Sequence, residues 1–268
     1  MPAEGADVDW PSGSDNVTCT REGAVAVITL NRPEKLNSVT PDMSHALEAI
    51  IRALNVDSEI RVVVLTGAGD RAFCCGSDIS TLDSYATPWD FRNRIDYCDA
   101  LRKLSKPLIG AINGYAFGGG LETALLCDIR IAAENASFAA AEIKLGWIGG
   151  GGVSYGLTEA AGPSNASYML LTGDAVDSAT ALRWNLVTRV VPAASLMTDV
   201  MALAQTIAER PPIAAEHAKV NVRTARESSF SESMKYERDL QTVAFATEDA
   251  QEGRRAFTEK RQGVFRRR

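Results

Sequence analysis

Glu122 and Glu142 are the residues of this 268-residue chain whose types and settings best suit proton transfer. Glu122 follows the glycine triplet Gly118-Gly119-Gly120 and falls in the first turn of a predicted helix; Glu142 lies among alanines and an isoleucine in FAAAEIKLGWIGGGG (138–152). Each has a plain reading, since a helix start favours a carboxylate through its partial positive charge, and a glutamate among small residues can be a solvated edge. The chemical reading is that burial raises a carboxyl pKa and a second carboxylate nearby raises one of the pair further. A glutamate so placed can hold a proton near neutral pH.

Two glycine-bearing segments offer a partner for such chemistry. In NGYAFGGGLE (113–122) a strand end runs through the triplet into a helix. Without side chains there, backbone N–H groups can approach a ligand closely and face a developing oxyanion. In AFCCGSDI (72–79), Gly76 permits backbone conformations that could turn the Ser77 N–H outward, the alternative being a connecting turn. The glycine run 149–152 is either a flexible turn or a second close approach of backbone to substrate. Phosphate loops are a poor fit, because neither GxxxxGK[ST] nor GxGxxG is present. No metal site is expected either: the only histidines are His45 and His217, and the five cysteines (Cys19, Cys74, Cys75, Cys98, Cys127) form no CxxC pair. They read as reduced, mostly buried thiols.

The elements that must hold these residues follow from apolar periodicity. GAVAVITL (23–30) and IRVVVLTG (60–67) are short, valine-rich apolar runs expected to be strands buried on both faces, and PLIGAING (107–114) and IRIAAE (129–134) read as two further strands. Between the first two, PDMSHALEAIIRALNVD spaces Met43, Leu47, Ile50, Ile51 and Leu54 as one helical face, with Thr40 as cap and Pro41 in the first turn. Alternation of this kind predicts an α/β fold with mainly parallel strands, whose loops at strand carboxyl ends tend to bind ligands. Beyond RVVP (189–192) no strand-like run follows, and 195–260 has helical periodicity broken at Arg210-Pro211-Pro212.

Composition narrows the function classes. With 46% hydrophobic and 23% charged residues the chain is an ordinary globular sequence, long enough to bury a sizeable core. A net charge of −6 argues against a nucleic-acid surface, and the terminal Arg266-Arg267-Arg268 is expected to be a solvated end. No apolar run approaches the roughly 20 residues of a membrane helix, and the acidic, polar start does not look like a signal peptide, so a cytoplasmic protein without membrane contact is expected.

Taken in order, these segments resemble the crotonase (enoyl-CoA hydratase/isomerase) superfamily over most of the chain. ITLNRPEKLNSV (28–39), AFCCGSDI, NGYAFGGGLETALLCDIRIA (113–132), LLTGDAVDSATALRWNLVTRVVP (170–192) and EDAQEGRRAFTEKR (248–261) follow its successive motifs. The resemblance implies a spiral of repeated ββα units with a C-terminal helical trimerisation region: a loose lead-in at 1–16, the core at 17–194 and the oligomerisation helices at 195–268. It implies an acyl-CoA substrate, a homotrimer or homohexamer, and no cofactor beyond the coenzyme A carried by the thioester. The Ser77 and Gly119 N–H groups would form the oxyanion hole. Glu122 would bind and help deprotonate water, and Glu142 would protonate the α-carbon, a pair that hydratases possess. Lys35, Leu36, Cys74, Gly76, Asp78, Ile79 and Gly118 would contact substrate or CoA, as would Phe257 and Lys260, supplied by a neighbouring subunit.

Hydration of a 2-enoyl-CoA to a 3-hydroxyacyl-CoA is thus the leading expectation. Isomerisation, a specialised dehydration such as that of carnitinyl-CoA, or non-catalytic acyl-CoA or RNA binding are the alternatives. The sequence departs from the family pattern in three places. Thr158 and Glu159 fall where an arginine is usual after the glycine run, Asn185 stands where glycine is common, and Trp147 replaces a smaller residue. Tyr85, Trp89 and Phe91, in the variable stretch 81–97, are candidates for an acyl pocket or for core.

Overall fold

The computed structural model describes Trp10 and residues 13–268. Most of the 1–16 lead-in lies outside the described residues, but Trp10 is buried against the core. In chain order the elements begin with β1 (Val17–Glu22), β2 (Val25–Leu30), α1 (Pro41–Val56), β3 (Val62–Gly67) and β4 (Ala72–Cys74). Next come α2 (Pro88–Arg92), α3 (Tyr97–Arg102), β5 (Leu108–Ile112), β6 (Tyr115–Phe117), α4 (Gly119–Leu126), β7 (Ile129–Ala133) and β8 (Ser137–Ala139). The chain continues with α5 (Val153–Thr172), β9 (Val176–Asp177), α6 (Ser178–Arg183), β10 (Arg189–Val191), α7 (Leu196–Ala208), α8 (Pro212–Glu227), α9 (Phe230–Phe245) and α10 (Glu248–Glu259).

The strands form two sheets, one ordered β1-β2-β3-β5-β7-β10 and one ordered β4-β6-β8-β9. Three times in succession a strand of the larger sheet is followed by a short strand of the smaller: β3 then β4, β5 then β6, β7 then β8. Helices α3, α4 and α5 follow in turn, giving the repeated ββα spiral. Pairing is parallel except at the β1–β2 hairpin and at β8–β9. The four expected strands are present, whereas β1 and the short strands of the smaller sheet are additions. AFCCGSDI is therefore not simply a loop, since its first three residues form β4.

The apolar run of β3 is continuous because both its faces are covered. Val62 and Val64 pack in the cluster that contains α7, while Val63 and Leu65 pack in the cluster that contains α1, as the two-residue period of a strand requires. The α1 face is as expected: Met43, Leu47, Ile50, Ile51 and Leu54 are buried and the Thr40 hydroxyl accepts the Met43 N–H. On the other side, Leu196, Val200, Ala204 and Ala208 of α7 recur every four residues and lie against the sheet. The hydrophobic core thus runs past residue 194, and the helices outside it begin with α8, just after the Pro211-Pro212 break.

The terminal arginines are not a free end. Asp249, in the first turn of α10, accepts the N–H groups of Arg266 and Arg267 at 2.6 and 2.9 Å, Arg267 pairs with Glu216 at 2.8 Å, and Arg61 donates to the Phe265 carbonyl at 2.6 Å. Among the described residues no helix is long and apolar enough to cross a membrane.

Candidate active site

Glu122 enters the site from the first turn of α4 and is only 6% exposed. Its Oε1 accepts the Gly151 N–H at 2.7 Å, and its Oε2 lies 3.9 Å from the Cys98 thiol. Burial is the main reason its pKa is pushed up to about 7, with Glu142 and Asp96 adding to the rise and the Gly151 N–H opposing it. Glu142 sits on a single 3₁₀ turn, Ala141–Leu145, after β8. Its Oε2 is buried with no hydrogen-bond partner among the described residues, and burial raises its pKa.

The two carboxylates face a common space. A methyl group placed on Gly149 would lie 2.5 Å from Glu122 Oε1 and 3.3 Å from Glu142 Oε1, and one on Gly151 would lie 2.5 Å from Glu122 Oε2. Gly149 and Gly151 are thus required to be small by the carboxylates they cover. The Arg102 guanidinium donates to the Gly151 carbonyl, so Gly151 is held on both sides of its backbone.

The Ser77 and Gly119 segments belong to the same site. Ser77 is fixed by pairing across Val39: Val39 N–H donates to the Gly76 carbonyl at 2.8 Å and Asp78 N–H to the Val39 carbonyl at 2.9 Å. Gly76 has φ +82°, and a Cβ on it would come within 2.7 Å of Gly119 N, so only glycine lets the loop lie against the start of α4. Gly118, at φ +55°, turns β6 into that helix. Among the described residues neither the Ser77 nor the Gly119 N–H meets an acceptor. Two free N–H donors therefore lie next to one another, at a helix N-terminus suited to negative charge.

These groups line one cavity of about 610 Å³, which takes in Gly76, Ser77, Ile79, Gly118, Gly119, Glu122 and Glu142. The remaining expected contacts are placed elsewhere. Cys74 is fully buried, accepts the Gly76 N–H, and has its thiol pKa pushed up to about 12 by burial. Asp78 pairs with Arg32 at 3.0 Å and caps the turn after it, so its carboxylate holds structure and sits below its usual range through Ser80 and Arg32. Lys35 is exposed and Leu36 accepts the Cys75 N–H; neither lines the cavity. Phe257 is 86% exposed on α10 and Lys260 ends that helix, and within one chain neither reaches the cavity. Of the aromatic candidates, Phe91 lines the cavity, Tyr85 packs edge-on against it, and Trp89 is 69% exposed.

Residues 20–268 match the profile of the enoyl-CoA hydratase/isomerase family. The chain belongs to that family. It is 41% identical to the probable enoyl-CoA hydratase of Mycobacterium bovis, over 94% of this chain and 98% of that one. It is 37% identical to the mitochondrial enoyl-CoA hydratase of Pongo abelii, over 92% and 85% of the two chains. The crystal structure of an enoyl-CoA hydratase from Bacillus anthracis superposes with a TM-score of 0.90 at 32% identity, covering 95% of this chain and all of that one.

Against the family pattern, several departures acquire a physical account. Asn185 has φ +63°, and asparagine is among the residues that best tolerate the left-handed region where glycine is usual. Glu159 pairs with Arg226 at 3.6 Å. Trp147 lines the cavity beside Leu145 and Ile148, which narrows it with apolar surface. Sequence reasoning did not single out Tyr97, Arg102, or Gly151 as the donor that holds Glu122. The glycine run was the one available signal, and in the structure Gly149 and Gly151 are glycine for want of space rather than for a turn.

Proposed function

We propose that this chain adds water reversibly across the double bond of a 2-enoyl-CoA to give the 3-hydroxyacyl-CoA, with Glu122 and Glu142 as the acid–base pair. The observation that carries the reading is the convergence of two carboxylates, Glu122 buried and Glu142 half-buried, on Gly149, in the same cavity as the unengaged Ser77 and Gly119 N–H groups. A water in the space between the carboxylates gives a proton to Glu122 as its oxygen bonds to C3. Negative charge moves through C2 onto the thioester oxygen, where the two N–H groups receive it, and Glu142 delivers its proton to C2. The pair as a whole needs one proton at the start, and burial favours holding it by raising both pKa values, that of Glu122 to about 7. No metal or redox step is required, because the conjugated thioester is already activated for addition. One oxyanion donor of this kind typically contributes roughly 10²–10³ in rate.

Ile79, Leu82, Phe91, Leu145, Trp147 and Ile148 give the acyl chain an apolar wall. Phe257 and Lys260 are proposed to meet the CoA of a neighbouring copy in a trimer or hexamer, in keeping with the exposure of Phe257 on α10 and Phe245 on α9. Incubation with 2-enoyl-CoA and, separately, 3-enoyl-CoA in ¹⁸O-labelled water tests the reaction. Label in the 3-hydroxyacyl product from 2-enoyl-CoA is expected; double-bond migration without label from either substrate would contradict hydration.

A further inference from the structure

Tyr97 opens α3 with only 4% of its surface exposed, yet it forms part of the cavity wall. Its Oη lies 3.3 Å from the Ser77 Oγ. It also abuts the other oxyanion segment so closely that a methyl on Gly119 would overlap the phenol oxygen. The hydroxyl therefore touches both segments, Ser77 through its side chain and Gly119 at its Cα.

Two hydroxyl groups share one contact here, and that arithmetic matters. A Tyr–Ser hydrogen bond consumes one O–H hydrogen and leaves the other free to donate. The Ser77–Tyr97 bond is the only one either side chain makes among the described residues. Burial, with Cys98, Cys74 and Glu122 close by, holds the phenol well above its usual range, so it remains an O–H throughout the neutral range. Asp96 fixes the ring's backbone: it caps α3 through the Cys98 N–H at 2.8 Å and is itself paired with Arg94 at 2.5 Å. The donor is thus preorganised in a low-dielectric setting, the condition under which a hydrogen bond to developing charge is strongest.

We infer that Tyr97 is a third hydrogen-bond donor to the thioester enolate, acting with the Ser77 and Gly119 N–H groups. The inference rests on the oxyanion reading of those two groups and adds a side chain to it. It also assigns the glycine at 119 a second reason for its size, namely room for the phenol next to the substrate oxygen.

Tyr97→Phe keeps the ring and its packing and removes only the hydroxyl. A donor to a charged acceptor lost in this way lowers kcat by roughly 10- to 100-fold, with a smaller change in KM. A structural role for the phenol, acting only through the Ser77 hydroxyl, is separated by a double-mutant cycle. In the Ser77→Ala background, Tyr97→Phe should still lower kcat by a similar factor; no further loss there overturns the inference.

A direct readout is the ultraviolet band of enolised acetoacetyl-CoA bound to the enzyme, titrated against pH. Wild-type protein should bind the enolate, and Tyr97→Phe should need a higher pH to form it. An identical titration in both proteins overturns the role of Tyr97 alone. No enolate on wild-type protein overturns the oxyanion reading along with it.

Discussion

The Gly151 N–H donates a 2.7 Å hydrogen bond to Glu122 Oε1, on the carboxylate whose pKa burial pushes up to about 7. The bond orients Glu122 without removing its ability to hold a proton. Because the folded pKa lies above the unfolded one, the native state binds the extra proton between about pH 4.5 and 7. The stability this proton confers is present at low pH and is lost as pH rises through 7. Glu122→Gln abolishes that loss. The variant should be more stable than wild type at pH 8, by roughly 1–3 kcal/mol, and the gap should narrow towards pH 5. Thermal melts at the two pH values check this; parallel pH profiles for the two proteins would contradict it.

Gly149→Ala probes the space between the carboxylates. The residue has an ordinary φ, so the substitution brings no backbone strain; its methyl would lie 2.5 Å from Glu122 Oε1, 2.6 Å from Val153 Cγ1 and 3.3 Å from Glu142 Oε1, so Val153 must give way as well. The added carbon occupies the proposed water position. Turnover should fall by roughly 10² or more, as for loss of a positioned reactant, while acyl-CoA binding measured by calorimetry changes little. Retention of hydration within tenfold of wild type would place the water elsewhere.

The fold was legible wherever burial was two-sided or periodicity ran long. Val62–Gly67 could be read as a strand because both its faces are covered, and α1 because five apolar residues share one stripe. Ala72–Cys74, Tyr115–Phe117 and Ser137–Ala139 are three residues each, too short to show a period of two, and only the resemblance implied a second strand in each unit. The site was legible in the same uneven way. Glycines before Glu122 announced a helix start that a ligand could approach closely, and the alanines around Glu142 allowed for burial. Tyr97 and Arg102 carry no local signal, since each acts across a gap of some twenty to fifty residues that only the spiral closes.

Asp249 offers a test of the C-terminal segment. Its carboxylate is 3% exposed and accepts two backbone N–H groups from Arg266 and Arg267. Asp249→Ala should release the last residues, at a cost of about 2–3 kcal/mol in local stability, and make trypsin cut after Arg261 several-fold faster. Equal cleavage rates in the two proteins would show that Arg61 and Glu216 hold the segment unaided.

Activity should depend on pH through the carboxylate pair rather than through either glutamate alone. Ionised Glu122 is needed to receive the water proton, so kcat/KM for hydration should rise as pH approaches 7. In Glu122→Gln the acidic limb should disappear from the residual activity. A profile flat from pH 5 to 9 in wild type would contradict two-carboxylate catalysis.

The most direct measurement of the central claim is steady-state hydration of a short 2-enoyl-CoA by wild type, Glu122→Gln, Glu142→Gln and the double variant. If the two carboxylates act on one water and one thioester, each single change should lower kcat by roughly 10³ or more. The double variant should then be little worse than either single one, because groups acting as a unit are not additive. A single variant that keeps turnover within tenfold of wild type, or losses that multiply in the double, would contradict the account.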